Sequence, residues 1–287
     1  MTRPLIVTDS AADLPPDVAE ALGITVVPLK IRINSREYQE GVDLSRGELF
    51  ELATRAPGKP DLSAPTVKAF YQAYSRLSKQ SGHIISIHHS SRLSPSVERA
   101  RQAAASMVGQ SRVMVVDSML TTVGLGMLAA AAAEATQAGE SMDGTLRLLR
   151  DMISHIYLVL FVEDLDFLER DGRIGEAQSI LGTMLNIKPL LIMEDGEIEP
   201  MEKVRTRPRG LDKLAEFVSE FTRIERLIIV HNEAAPIEIQ GLIERVDAVK
   251  PGLPIEVAHY GPALATHVGM RALGIVVYEG SLEPEFW

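Results

Sequence analysis

The segment His88-His89-Ser90-Ser91-Arg92-Leu93-Ser94-Pro95 sets three hydroxyls between a run that reads as a buried strand, Ile84-Ile85-Ser86-Ile87, and a helical pattern. Hydroxyls beside the unpaired N–H groups of a helix N-terminus suit a carboxylate or a phosphate, because the helix dipole places partial positive charge there. Ser94 reads as the N-cap and Pro95 as the first helical residue. A serine that only caps its own helix has the same signature, so this segment by itself leaves both roles open.

Other residues offer complementary chemistry. The loop Pro57-Gly58-Lys59-Pro60-Asp61-Leu62-Ser63-Ala64-Pro65-Thr66 approaches a helix that starts near Thr66 or Val67; Ser63 or Thr66 caps that helix, or the loop supplies a second ligand hydroxyl. Arg173 follows Gly172, and Arg205, Arg207 and Arg209 flank Thr206 and Pro208. Guanidinium forks partner phosphate and carboxylate, or else form surface ion pairs. His267 sits among small residues in Ala265-Thr266-His267-Val268-Gly269, a loop or helix start. The seven histidines are too scattered for a metal-ligand spacing, and the absence of cysteine removes disulfides, thiol nucleophiles and thiolate metal sites. No Walker loop, GxGxxG or GxSxG fingerprint occurs. The expectation is therefore no metal and no cofactor.

These residues need a frame. Apolar runs at Leu5 to Val7, Ile24 to Ile33, Ile84 to Ile87 and Val113 to Val116 alternate with helical patterns, the rhythm of βαβ units. Consecutive apolar positions mark parallel strands covered on both faces. Polar residues gather where the strands end, at Thr8-Asp9-Ser10, Ser90-Ser91 and Asp117-Ser118, and the carboxyl edge of a parallel sheet is where ligands bind. The alanine-rich stretch from Met119 to Ala138 reads as a buried helix, too polar to span a bilayer.

Farther on, a helix near Met142 to His155 precedes a strand at Ile156 to Val162. Glu194-Asp195-Gly196 between two apolar runs signals a hairpin, and hence a mixed sheet. Strands at Leu227 to His231, Ile255 to His259 and Gly274 to Tyr278 and a helix at Pro236 to Val249 complete the pattern. The fold class is α/β in two domains: a three-layer parallel-sheet domain over residues 1–160 and an α/β domain with a mixed sheet over 161–287.

A net charge of −10 with 24% charged residues argues against a nucleic-acid or anionic-membrane surface. The first residues are too short an apolar run for a signal peptide, so the expected location is the cytoplasm.

Taken together, the motifs resemble the DegV family of bacterial fatty-acid-binding proteins. The resemblance rests on Val7-Thr8-Asp9-Ser10, Asp13-Leu14-Pro15, Val27-Pro28-Leu29, Ser90-Ser91-Arg92-Leu93-Ser94, Val116-Asp117-Ser118 and Gly124-Leu125-Gly126. It continues through Asp164-Leu165-Asp166-Phe167-Leu168, Gly172-Arg173-Ile174, Ile187-Lys188-Pro189, Val204-Arg205-Thr206 and His267-Val268-Gly269. It implies a long-chain fatty acid, of the palmitate class, in a buried tunnel, with its carboxylate at the meeting of two domains. Ser94, Ser63 and His267, with Ser91, would hold the head group. Leu62 and Arg173 would neighbour it. Arg173 and Arg205 would contact phosphate or a partner, a fatty acid kinase that feeds phospholipid metabolism. Such a protein is a carrier and not an enzyme. Leu62 stands where the family has threonine, Pro95 where it has glycine, and Met270-Arg271 interrupt a glycine-rich pattern. A buried acyl chain gains about 0.8 kcal/mol per CH₂, so the tail supplies most of the affinity and the head fixes orientation. The alternative is a hydrolase or acyl or phosphoryl transferase with Ser94 as nucleophile and His267 as base.

Overall fold

The computed structural model describes residues 3–33, 35–55, 61–163, 187–232 and 234–280. The chain forms two compact units, one of residues up to Ile153 with Gly261–Thr266, the other of Ser154–Tyr260 with the residues from His267 onward.

The first unit is built on a parallel sheet of order β2-β1-β6-β7: β1 (Leu5–Asp9), β2 (Thr25–Val27), β6 (His83–His88) and β7 (Arg112–Asp117). Val7 and Ile84 face a core completed by Phe70, Ala73, Tyr74 and Leu77 of α3 (Val67–Leu77) and by Ala100 and Ala103 of α4 (Ser96–Ala105). The alanine-rich stretch forms α5 (Thr122–Gln137), which packs on β1 and β6, and α6 (Met142–Ile153) packs against α5. Its small residues permit a close approach. A Cβ on Gly126 would lie 2.5 Å from the Ala12 carbonyl oxygen.

The run from Ile24 to Ile33 is not one strand. It divides between β2 and β3 (Lys30–Ile33), since Pro28 has no N–H for a ladder. β3 belongs to a separate antiparallel sheet of order β4-β3-β5, with β4 (Arg36–Gln39) and β5 (Asp61–Ser63). Leu62 packs there against the small core of Ile31, Ile33 and Leu49, the last from α2 (Arg46–Arg55). A short helix, α1 (Pro16–Ala21), links β1 to β2.

The second unit has a mixed sheet of order β10-β9-β8-β13-β11-β12. Its strands are β8 (Ile156–Phe161), β9 (Lys188–Glu194), β10 (Glu197–Val204), β11 (Arg226–His231), β12 (Ile255–His259) and β13 (Leu273–Tyr278). Only the β11–β12 pair is parallel. The expected hairpin joins β9 to β10, and Asp195 (φ 47°) and Gly196 (φ 83°) both adopt the left-handed backbone of a type I′ turn. α7 (Arg207–Ser219) and α8 (Pro236–Val249) cover this sheet through Leu214, Val218, Leu242 and Val246. The last helix among the described residues is α9 (Pro262–Val268). Among the described residues no helix is long and apolar enough to cross a membrane.

Candidate functional site

The carboxyl edge of the parallel sheet gathers the polar residues that end its strands. Thr8 pairs with Ile87 and His88 with Asp117, so Asp9, His88 and Asp117 end adjacent strands at one level. The loops that follow are tied together. Ser118 N–H donates to the His88 carbonyl and Ser90 N–H to that of Leu120. The Asp117 carboxylate accepts from the backbone of Ser91 and Met119 at 3.2 and 3.1 Å. Thr122, β-branched, is held at φ 48°, a conformation that costs free energy and persists only where neighbours enforce it. Its hydroxyl donates to Asp13 over 2.6 Å, and the same carboxylate oxygen accepts from Gly261 N–H at 2.7 Å.

Within this edge Ser94 is half-buried and Ser91 exposed. The helix begins one residue later than expected: α4 starts at Ser96, with Pro95 (φ −75°, ψ 13°) in the capping position. Ser94 therefore stands one position outside the helix and is not its N-cap. Its Oγ instead accepts from Ser96 N–H at 3.3 Å and lies 3.0 Å from Ser96 Oγ. The hydroxyl thus lies beside the helix N-terminus with a second hydroxyl next to it.

Ser63 lies in a strand and not in the expected loop, because residues 61–63 complete the β3 ladder, where Ser63 pairs with Lys30. It is exposed. Thr66 caps α3, accepting from Ala69 N–H at 3.2 Å, so Ser63 is not the cap. Arg99 of α4 donates to the carbonyls of Ala64 and Pro65 at 2.6 and 3.3 Å, tying the residues after Ser63 to the helix after Ser94. Ser10 adds a second tie, accepting from Leu29 N–H at 2.9 Å and donating to the buried Glu40 at 2.7 Å.

His267 is buried, in the last turn of α9 and not at a helix start. Tyr260 donates to the Gly269 carbonyl over 2.9 Å and so closes the segment around it. The arginine cluster divides by role. Arg207 binds Glu238 and Glu163, Arg209 binds Asp212 and Glu216, and Arg205 is left exposed. Burial pushes the Glu163 carboxyl up, but Arg207, Lys188 and Arg271 together outweigh it and hold the group below the usual carboxylate value. Arg173, Pro57 to Pro60 and the acidic segment from Asp164 lie outside the described residues.

Sequence reasoning missed a side-chain chain behind the serine loop. Asp9 Oδ2 lies 3.0 Å from His88 Nδ1, His88 Nε2 lies 2.6 Å from Ser86 Oγ, and Ser86 Oγ lies 2.8 Å from the Tyr74 hydroxyl. All four residues are fully buried, and the Phe70 ring meets the His88 imidazole edge-on at 4.8 Å. Burial foremost, and then the Asp9 charge, push the Tyr74 phenol up; its hydrogen bond with Ser86 opposes them. The order Asp-His-Ser matches that of a hydrolytic triad, yet Ser86 lies inside the core, out of reach of any substrate. The signal that could have found it is that the runs forming β1 and β6, which pair in the sheet, both end in polar residues. Thr8 and Thr121 hydroxyls at this edge are buried with no hydrogen-bond partner among the described residues.

A family model described as "Uncharacterised protein, DegV family" matches residues 4–280. A DegV domain-containing protein of Streptomyces coelicolor is 36% identical over 276 residues, covering 95% of this chain and 97% of that one. Among solved structures, a DegV family protein of Thermus thermophilus described as binding fatty acid superposes with a TM-score of 0.85 at 30% identity, covering 97% of this chain and all of that one. DegV of Bacillus subtilis, described as a fatty-acid-binding protein, gives 0.84 at 29%, with coverage of 97% and 100%.

Proposed function

Since the chain belongs to the DegV family, we propose that it binds a long-chain fatty acid in a buried tunnel with the carboxylate where its two domains meet. The likeness to the fatty-acid-binding Thermus protein over nearly the whole of both chains carries this reading. Ser94 and Ser91 hold the head group from the serine loop, Ser63 from β5 and His267 from α9. Leu62, turned into the small core of β3 and α2, contributes no hydroxyl, so Ser63 is the donor on that side. A carboxylate removed from water needs hydrogen bonds, and hydroxyls at the start of α4 supply them where the dipole also favours negative charge.

The protein acts as a carrier that needs no cofactor and presents the carboxylate to a separate fatty acid kinase, with Arg205 and Arg173 as contacts for phosphate or the partner. Mass spectrometry of lipid extracted from the purified protein tests the binding. One fatty acid per chain is expected, and no acid in the extract with none taken up on incubation overturns the reading. The hydrolase reading has less support, since no nucleophile fingerprint accompanies Ser94 in the sequence. Labelling of Ser94 by an activated-serine probe would restore it.

A further inference from the structure

The carboxyl ends of β11 and β12 carry a feature that lipid binding does not use. In this parallel pair His231 stands opposite His259, and the ring centroids are 4.3 Å apart with planes at 49°. His231 is 6% exposed, whereas His259 is exposed on the edge strand. His231 Nδ1 and Asn232 Nδ2 are buried without a hydrogen-bond partner among the described residues. An unpartnered nitrogen in the interior costs free energy, and a second imidazole in contact with the first offers no fixed donor in compensation.

We propose that His231 and His259 together bind a divalent transition-metal ion of the copper, nickel or zinc class, with water in the remaining positions. Imidazole is the ligand these ions share, and the chain has no cysteine to offer a softer one. Metal–imidazole bonds of about 2.0–2.1 Å set the centres of two neighbouring imidazole ligands roughly 4.5–5 Å apart. The observed 4.3 Å reaches that range if His259, free to move at the surface, swings outward by a few tenths of an ångström. The exposed partner gives the ion a path in, and the net charge of −10 draws cations to the molecule. The described residues hold no group of three or more histidine or carboxylate ligands. The site is accordingly open and exchangeable, unlike the closed four-ligand sites that hold a fold together.

The test is titration of the metal-free full-length chain with copper(II) chloride and, separately, zinc chloride, followed by calorimetry, with electron paramagnetic resonance for copper. One ion per chain and hyperfine coupling to two imidazole nitrogens are expected. His259→Gln, at an exposed position, and His231→Gln should each weaken binding at least tenfold, and His155→Gln should leave it unchanged. Absence of one-to-one binding, an unchanged affinity in His259→Gln, or coupling to fewer than two nitrogens overturns the proposal. None of these readouts depends on whether a fatty acid is bound.

Discussion

His88 Nδ1 lies 3.0 Å from the Asp9 carboxylate, and neither side chain reaches solvent. The pair joins the ends of β1 and β6, and Asp9 also accepts from the backbone N–H groups of His89 and Ala11. Removing the carboxylate orphans a buried imidazole and two backbone donors at once. Asp9→Ala should cost about 3 kcal/mol or more of stability, measured by urea unfolding. Tyr74→Phe, at the far end of the chain of hydrogen bonds, leaves His88 and Ser86 paired and should cost only about 1 kcal/mol. Equal losses in the two variants would show that the chain of hydrogen bonds does not originate at Asp9.

Gly126 of α5 lies against the carbonyl of Ala12, and the obstacle to a Cβ is backbone. Gly126→Ala should therefore destabilise by about 1–3 kcal/mol, although alanine is the better helix former by about 1 kcal/mol at an unconstrained position. Thermal melting decides the sign, and a rise in Tm would mean the 3-10 turn at Ser10–Ala12 yields freely.

For the serine loop, Ser94→Ala should weaken fatty-acid binding about tenfold or more, since a hydrogen bond to a charged group contributes about 1.5–3 kcal/mol. The fold should change by about 1–2 kcal/mol, because what is lost is the bond from the Ser96 N–H and the contact with the Ser96 hydroxyl. Binding of a fluorescent fatty-acid analogue, read beside a denaturation curve, separates the two effects. Ser63→Ala, on the exposed face of an edge strand, should weaken binding and leave stability unchanged.

Glu163 supplies a pH dependence. Its carboxyl is held below the ordinary value in the folded state, so at acid pH the unfolded chain binds the proton more readily. The stabilisation is present above the unfolded value, near 4.5, and is lost as pH falls through the lower folded one. Glu163→Gln should flatten the fall in Tm below that pH. A variant whose Tm falls as steeply as the parent's would assign acid sensitivity to other carboxylates.

Arg205 is exposed, whereas Arg207 is enclosed by Glu163 and Glu238. Arg205→Ala should reduce phosphorylation of the bound acid by a fatty acid kinase while leaving lipid affinity intact. Arg207→Ala should lower stability. Parallel losses of binding and phosphorylation in Arg205→Ala would refute a separate docking role.

Much of the architecture follows from local rules that one segment obeys alone. Asp195-Gly196 implied a hairpin and Thr66 the start of α3, and both are found. Consecutive apolar residues in Val113 to Val116 implied a strand covered on both faces; the strand forms as β7, but at the edge of its sheet, where those residues are only half-buried. Local rules failed where a distant partner chose the outcome. Residues 61–63 read as loop until β3 offers a ladder, and Pro28 divides a run whose halves enter different sheets. The pairing of Asp9 with His88, 79 positions apart, and of His231 with His259 likewise depends on strand order and register, which no local pattern carries. Composition and motif order thus announced the family, a two-part α/β chain and the serine loop. Which hydroxyls are engaged, which arginine is left exposed and which imidazoles meet were settled by packing, because hydrogen bonds and ion pairs act over a few ångströms and only folding brings those groups within range.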